Sequence, residues 1–353
     1  MSMQLDSASG SITLIPEDGA GNVNVTVPRA GFASVPAYGL FAKADPTTVA
    51  FTKTAAGAAS IKAGTKVDVA GTLVQFGSAT AITMPTLTAG TDYAIWVKDD
   101  GTIQASSGHT SAPGAGNWRK IGGFNYAPGG LATGTSGGDT TPQILAGTFW
   151  DLKFRPACSD PRGMKLVADA FWADLWMLNT DPAVNGTSKY GATIADGSSP
   201  PKVPSAFGGN GTTTYPDGNW WNMAECLSAY GKRLPTYSEF AALAYGTTEA
   251  TSRGTDPGTC QVDAARTSQH VFQATGNLWT WGDEFGGGAA AASWTANTGG
   301  RGSTYQMENA VLFGGYWASA SNSGSRASLW VHSPTLSSGD IGVRGVCDHL
   351  ILD

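Results

Sequence analysis

Apolar and polar residues alternate in short runs over the first third of the chain, the pattern of half-buried strands. Ser11-Ile12-Thr13-Leu14-Ile15 and Asn22-Val23-Asn24-Val25-Thr26-Val27 alternate and are punctuated by Pro28 and Gly31. They predict a small β element over residues 1–36, too short to bury a core of its own and suited to an attachment segment completed by oligomerisation. From 37 to 127 strand follows strand. Val67 and Val69 precede the Ala70-Gly71 turn and Leu73-Val74-Gln75-Phe76 returns; Tyr93, Ile95 and Val97 precede Asp99-Asp100-Gly101 and Thr102-Ile103-Gln104 returns. Short strands at such spacing predict a β-sandwich domain over 37–127. The stretch 128–147, from Pro128-Gly129-Gly130 to Thr141-Pro142, is rich in Gly, Ser and Thr and reads as a linker.

The period changes in the C-terminal domain, 148–353. Asp217 or Asn219 is placed to cap a helix from Trp220 to Tyr230, with Gly231 as its stop. Thr236-Tyr237-Ser238-Glu239 has capping-box spacing, Phe240, Leu243 and Ala244 form an apolar stripe, and Gly246 ends the helix. Phe171–Leu178 reads as a buried strand. Beyond Gly246 the chain is mostly loop, which in a compact domain is either functional or tightly pinned. The fold class is therefore multi-domain and mainly β, with an α+β C-terminal domain.

Near the C-terminus, Gly314-Gly315-Tyr316-Trp317-Ala318-Ser319-Ala320-Ser321-Asn322 sets side chains of different chemistry at alternate positions. In a strand, Tyr316, Ala318, Ala320 and Asn322 would line one face with Trp317 turned away.

Composition narrows the function. Charged residues are 14%, well below the usual quarter, while Gly reaches 48 residues; this favours loop-rich β architecture over helical bundles. Net charge is −6 with no clustered basic patch, so no nucleic-acid partner is expected. No apolar run approaches membrane-spanning length, and Met1–Asp6 has neither the basic nor the apolar part of a secretory signal. A chain acting outside the cell would be made in the host cytoplasm and leave by assembly into a particle and lysis. Cys158, Cys226, Cys260 and Cys347 form no CxxC pair and no metal-ligand spacing; in a chain made in the cytoplasm, four buried or inert thiols are expected rather than a disulfide framework.

Candidate chemistry is sparse. His332 has no second His at ligand spacing. Asp348-His349 has no Ser or Cys nucleophile placed with it and is expected to anchor the terminus. Asp283-Glu284 is a carboxylate pair able to bind a hard cation or to cap within the fold, and the second is expected. Trp279 and Trp281 alternate as packing residues. Gly286-Gly287-Gly288 is not followed by Lys-Ser/Thr and is no phosphate loop. No catalytic residue, cofactor or metal site is predicted.

Three pieces, in order, carry a resemblance: Gly231-Lys232-Arg233-Leu234-Pro235-Thr236 through Phe240; Gly276-Asn277-Leu278-Trp279-Thr280-Trp281; and Gly314-Gly315-Tyr316-Trp317 with Arg326 and Gly342-Val343-Arg344. Together they resemble the formylglycine-generating-enzyme-like family, which implies a C-type-lectin fold over about 148–353. A narrower set includes Lys153–Pro156, Phe171–Asp174, Thr295–Ser303, Ser323–Ala327 and Arg344–Leu352, and reaches into the middle domain at Ser60–Thr65 and Leu87–Trp96. That set resembles the major tropism determinant family of phage tail fibres, receptor-binding proteins diversified by a retroelement. The resemblance implies a virion homotrimer that joins other tail-fibre components and binds a bacterial surface receptor. Its variable positions would be Tyr316, Ala318, Ala320, Asn322, Leu329, Val331, His332, Leu336, Ser338, Asp340 and Ile341, with Tyr316, His332 and Asp340 chemically strongest. Trp317, Arg326, Trp330 and Arg344 would be scaffold. Two rivals are a formylglycine-generating-type oxidase and a purely structural tail protein. The oxidase needs a reactive cysteine pair near the C-terminal close, where only Cys347 stands.

Overall fold

A computed structural model describes residues 2–6, 11–15, 23–26, 40–289, 294–296, 303–305 and 308–352. The two N-terminal runs form an antiparallel meander of Ser2–Asp6, Ser11–Ile15 and Val23–Thr26. Pro28 and Gly31 lie outside the described residues.

The middle unit is mainly β and has one core. Its strands fall into three sheets. The largest is built on Thr91–Lys98 between Ile103–Ser106 and Trp118–Ala127; the other two are three-stranded. Turns such as Ala70-Gly71, both at positive φ, cut the smaller sheets into strands of two to five residues. Together the sheets bury one core that includes Phe41, Phe51, Ile61, Ile95 and Phe124.

The stretch 128–147 is docked rather than free. Gln143–Ile144 pair with Tyr126 and Ala127, and Ile144 is buried in the middle core. Upstream, the Ala132 N–H donates to the Ser268 carbonyl, Gly137 N–H to Gly246, and Gly138 N–H to Ala264. Its glycines permit this close backbone approach: a Cβ on Gly138 would stand 2.2 Å from the Gly130 carbonyl oxygen. The composition of a linker here belongs to a segment threaded between the two units.

In the C-terminal unit, a first sheet runs Phe154–Pro156, Val346–Ile351, Phe171–Asp174, Met164–Val167, joining the start of the domain to its end. A second runs Ser328–His332, Glu308–Phe313, Trp279–Ala289, Ile341–Gly342. The run Phe171–Leu178 is buried throughout, but its strand stops at Asp174. There the Asp174 carboxylate receives Lys232 Nζ at 2.5 Å and its carbonyl receives Arg344 at 2.6 Å, and the chain leaves the ladder. Both helices form. Asn219 caps Trp220–Ser228 by accepting from the Asn222 N–H, and Thr236 with Glu239 makes a reciprocal capping box for Tyr237–Leu243.

Candidate binding surface

The segment after Phe313 is not a strand. Gly314 and Gly315 sit at φ +88° and +85°, a left-handed pair that turns the chain out of the sheet. Space forces glycine here too: a Cβ on Gly315 would stand 2.4 Å from Ser323 Oγ, and one on Gly314 2.8 Å from the Phe240 ring. Tyr316 makes a single parallel bridge to Asn277, and Ala320–Asn322 form a 3-10 turn. The expected period-2 face of Tyr316, Ala318, Ala320 and Asn322 is thus replaced by a loop in which Ala318, Ala320 and Asn322 are exposed and Tyr316 is half-buried.

That loop is fastened by groups other than the candidate side chains. The Ser319 hydroxyl accepts from the Tyr316 N–H, and the Ser252 hydroxyl donates to the Trp317 carbonyl and accepts from the Ala320 N–H. The Gly254 N–H also reaches the Trp317 carbonyl, and the Ala250 N–H the Ser323 carbonyl. Glu249 takes both the N–H and the hydroxyl of Ser325. At the base, the Gly314 N–H donates to Ala327 and the Gly324 N–H to Gly314. These anchors come from residues 249–254, remote in sequence, and no local motif announces them.

Leu329, Val331 and His332 lie on one edge strand of the second sheet, Ser328–His332, and Ile341 on the opposite edge strand, Ile341–Gly342. Leu312 faces Leu329 and Ala310 faces His332, so three steps on one strand match two on the other. This one-residue bulge returns His332 to the side that Leu329 shares with Leu312 and Ala310. Trp330 packs into the opposite cluster with Val311 and Phe313; its indole donates to Ser328 Oγ and its carbonyl accepts from Asn309. Val331 is 63% exposed.

Trp279 links the loop to the last turn. Its ring is roughly parallel to that of Tyr316, with centroids 6.5 Å apart. Its N–H donates to the Asp340 carbonyl, and it pairs with Ile341. Trp281 is fully buried, whereas Trp279 is half-buried at the rim with Leu329 and Leu336. The alternation of the two tryptophans was legible in sequence; that one of them reaches the surface was not.

Two assignments change. Ile341 is 2% exposed and belongs to the core beside Val343 and Trp281, because its pairing with Trp279 turns it inward; it has no surface to present. Arg326 is exposed, and its carbonyl, accepting from the Tyr237 hydroxyl, does the holding. Arg344 is buried and donates to the carbonyls of Asp174, Phe272 and Gln273. Trp317 is half-buried and packs against the Trp176 and Phe272 cluster. By contrast, the side chains of Asn322, His332, Ser338 and Asp340 make no hydrogen bond or ion pair with the described residues.

Comparison with known proteins settles the family. The second-domain model of Mtd matches residues 49–151. The tail fiber receptor-binding protein of Bordetella phage BPP-1 is 56% identical over 325 residues, covering 89% of this chain and 85% of that protein. Among solved structures, the U1 and I1 variants of the major tropism determinant each superpose with a TM-score of 0.90 at 52% identity, covering 99% of this chain and 95% of theirs. The chain belongs to the major tropism determinant family. Its C-terminal unit accordingly has the C-type-lectin-like fold of that family.

In this family member the other sequence candidates are structural. Glu284 accepts the Tyr237 N–H at 2.6 Å at the start of the Tyr237–Leu243 helix, where a carboxylate is favoured. Asp348 pairs with Arg233, which also holds Glu239. His349 Nδ1 accepts from the Trp172 indole at 2.9 Å and its ring meets Phe154 at 4.4 Å; burial holds its pKa below the usual histidine value. Gly286 and Gly287 lie within the Trp279–Ala289 strand, against Trp330. No group of three His, Cys, Asp or Glu among the described residues is placed to hold a metal.

Proposed function

We propose that this protein is the tropism-determining, receptor-binding component of a phage tail fibre. It acts by binding rather than catalysis, through a face formed by Tyr316, Ala318, Ala320, Asn322, Leu329, Val331, His332, Leu336, Ser338 and Asp340. The observation that carries this reading is the separation of labour in the 314–327 loop. Its backbone is tied down by Ser252, Ser319, Ser323 and Glu249, while Ala318, Ala320 and Asn322 are exposed. Exposed positions free of structural duty tolerate substitution within about 0.5 kcal/mol, so such a face can change partner without unfolding. The face mixes aromatic, aliphatic, amide, imidazole and carboxylate groups around Trp279. The lectin label names a fold and implies no sugar ligand. Retroelement diversification and assembly as a homotrimer belong to the same reading.

Deep sequencing of the 3′ end of the gene across a propagated population tests it. The expected result is substitution confined to codons for these ten positions, with Ser319, Ser323, Arg344 and Ile341 unchanged. Substitution spread evenly along the cassette, or none at all, would remove the diversified face and leave a binder of fixed specificity or a structural tail protein.

A further inference from the structure

The first and last strands of the C-terminal unit bring two of the four cysteines together. Phe154 stands opposite Ile351, Arg155 opposite Leu350 and Pro156 opposite His349. The Leu352 N–H donates to Lys153 on one side of this ladder, and the Ala157 N–H to Asp348 on the other. The strand ends at Pro156; the same register continued to residue 158 would set Cys158 opposite Cys347, and both side chains lie in one buried cluster with Met164 and Trp172. Since Ala157 and Asp348 are a hydrogen-bonded pair, Cys158 and Cys347 would fall on a non-hydrogen-bonded pair, where facing Cα atoms approach to about 4.5 Å. That spacing lies within the range a disulfide spans.

The surroundings also suit exchange. Within the buried cluster that both cysteines share, the Cys158 thiol reaches the Asp160 carbonyl at 3.2 Å and the Met164 sulfur at 3.4 Å. Interaction with Cys158 and the positive charge of Lys232 hold the Cys347 thiol below its ordinary pKa, while the same interaction and burial push Cys158 up. Cys226 and Cys260 provide an internal contrast: they lie in separate core clusters, and burial pushes each up to about 12.

The geometry points to a cross-strand disulfide between Cys158 and Cys347, formed when the protein passes from a reducing cytoplasm to an oxidising medium containing a small-molecule disulfide. The Cys347 thiolate attacks one sulfur of that oxidant; its S–S bond breaks and one thiolate leaves, taking up the proton Cys347 released. Cys158 then gives up its proton and attacks the Cys347 sulfur of the mixed disulfide, expelling the second thiol. The two cysteines are oxidised by two electrons, and one small disulfide becomes two small thiols. Cys158 and Cys347 are 1% and 4% exposed, so the exchange requires local opening of the C-terminal edge, where Ile351 and Leu352 are already 46% and 38% exposed. The closed loop contains nearly the whole C-terminal unit, so the bond would keep the display domain from unravelling at its last strand. This chemistry is independent of what the domain binds.

The test uses the full chain, incubated with oxidised or reduced glutathione, alkylated, digested and mapped by mass. The expected product is a single linked peptide joining Cys158 to Cys347, with Cys226 and Cys260 recovered as free thiols. Melting temperature should rise by about 5–15 °C; the rise should vanish in Cys158→Ala and in Cys347→Ala and persist in Cys226→Ala. Separate glutathione adducts on Cys158 and Cys347, or both still alkylated as free thiols after the unfolded chain oxidises fully under the same conditions, would overturn it.

Discussion

Ala320 shows how finely the loop backbone is specified. It is a non-glycine residue at φ +48°, in the left-handed region that costs an L-residue roughly 1 kcal/mol, yet its N–H is held by Ser252. A proposed binding position at this φ is free in chemistry but not in shape. Asparagine and glycine adopt the conformation readily; β-branched residues do not. Ala320→Gly and Ala320→Asn should match or exceed the parent stability by up to ~1 kcal/mol, and Ala320→Val should lose about 1–2 kcal/mol. Urea unfolding of the three variants measures this, and equal stability for Val and Asn would mean the loop relaxes. No sequence pattern gave this angle; it arises from the Gly314-Gly315 turn upstream and the tether downstream.

At the scale of elements, what was legible followed local rules. Capping spacing located both helices, because the Asn219 and Thr236 side chains satisfy backbone donors within three residues. Alternation located Thr91–Lys98 and its partner Ile103–Ser106. The failures were non-local. Alternate side chains after Phe313 looked like a strand, but two positive-φ glycines and anchors from residues 249–254 make a loop. The glycine-rich 128–147 looked like a linker, but its glycines serve close packing. The family motifs acquire a physical role in the same way. Lys232, from the Gly231–Phe240 motif, and Arg344, from the Gly342–Arg344 motif, converge on Asp174, a buried carboxylate. Removing one partner leaves a buried charge uncompensated, so Lys232→Met should cost on the order of 3–5 kcal/mol. Adding Asp174→Leu should recover part of that loss, as a thermal-unfolding double-mutant cycle would show; strictly additive losses would count against a coupled pair.

For the whole molecule, the first sheet of the C-terminal unit joins residues 154–156 to 346–351, which closes that unit on itself, with Leu329 and Leu336 at the rim of one core cluster and Trp317 at the rim of another. A face of about ten side chains, several of them small, is a modest contact area, and a modest contact gains most from repetition: identical sites engaged together raise avidity by orders of magnitude without new contacts. The proposed homotrimer supplies that repetition. Light scattering on the purified chain should give about three times the 36.2 kDa protomer mass, whereas a monomer at micromolar concentration would speak against trimeric display. Of the eleven family-derived positions, Ala318, Ala320, Asn322 and Val331 are exposed, six are half-buried, and Ile341 faces the core.

The central claim is that the presented side chains determine attachment while other groups hold the fold. The most direct test is the triple variant Val331→Ala, His332→Ala, Asp340→Ala, assayed together for adsorption to the bacterial host and for melting temperature. These three side chains are exposed or half-buried and make no polar contact with the described residues. The account predicts at least a tenfold loss of adsorption, roughly 1.4 kcal/mol or more of binding, with Tm within about 2 °C of the parent. Unchanged adsorption, or a Tm that collapses with adsorption, would contradict it.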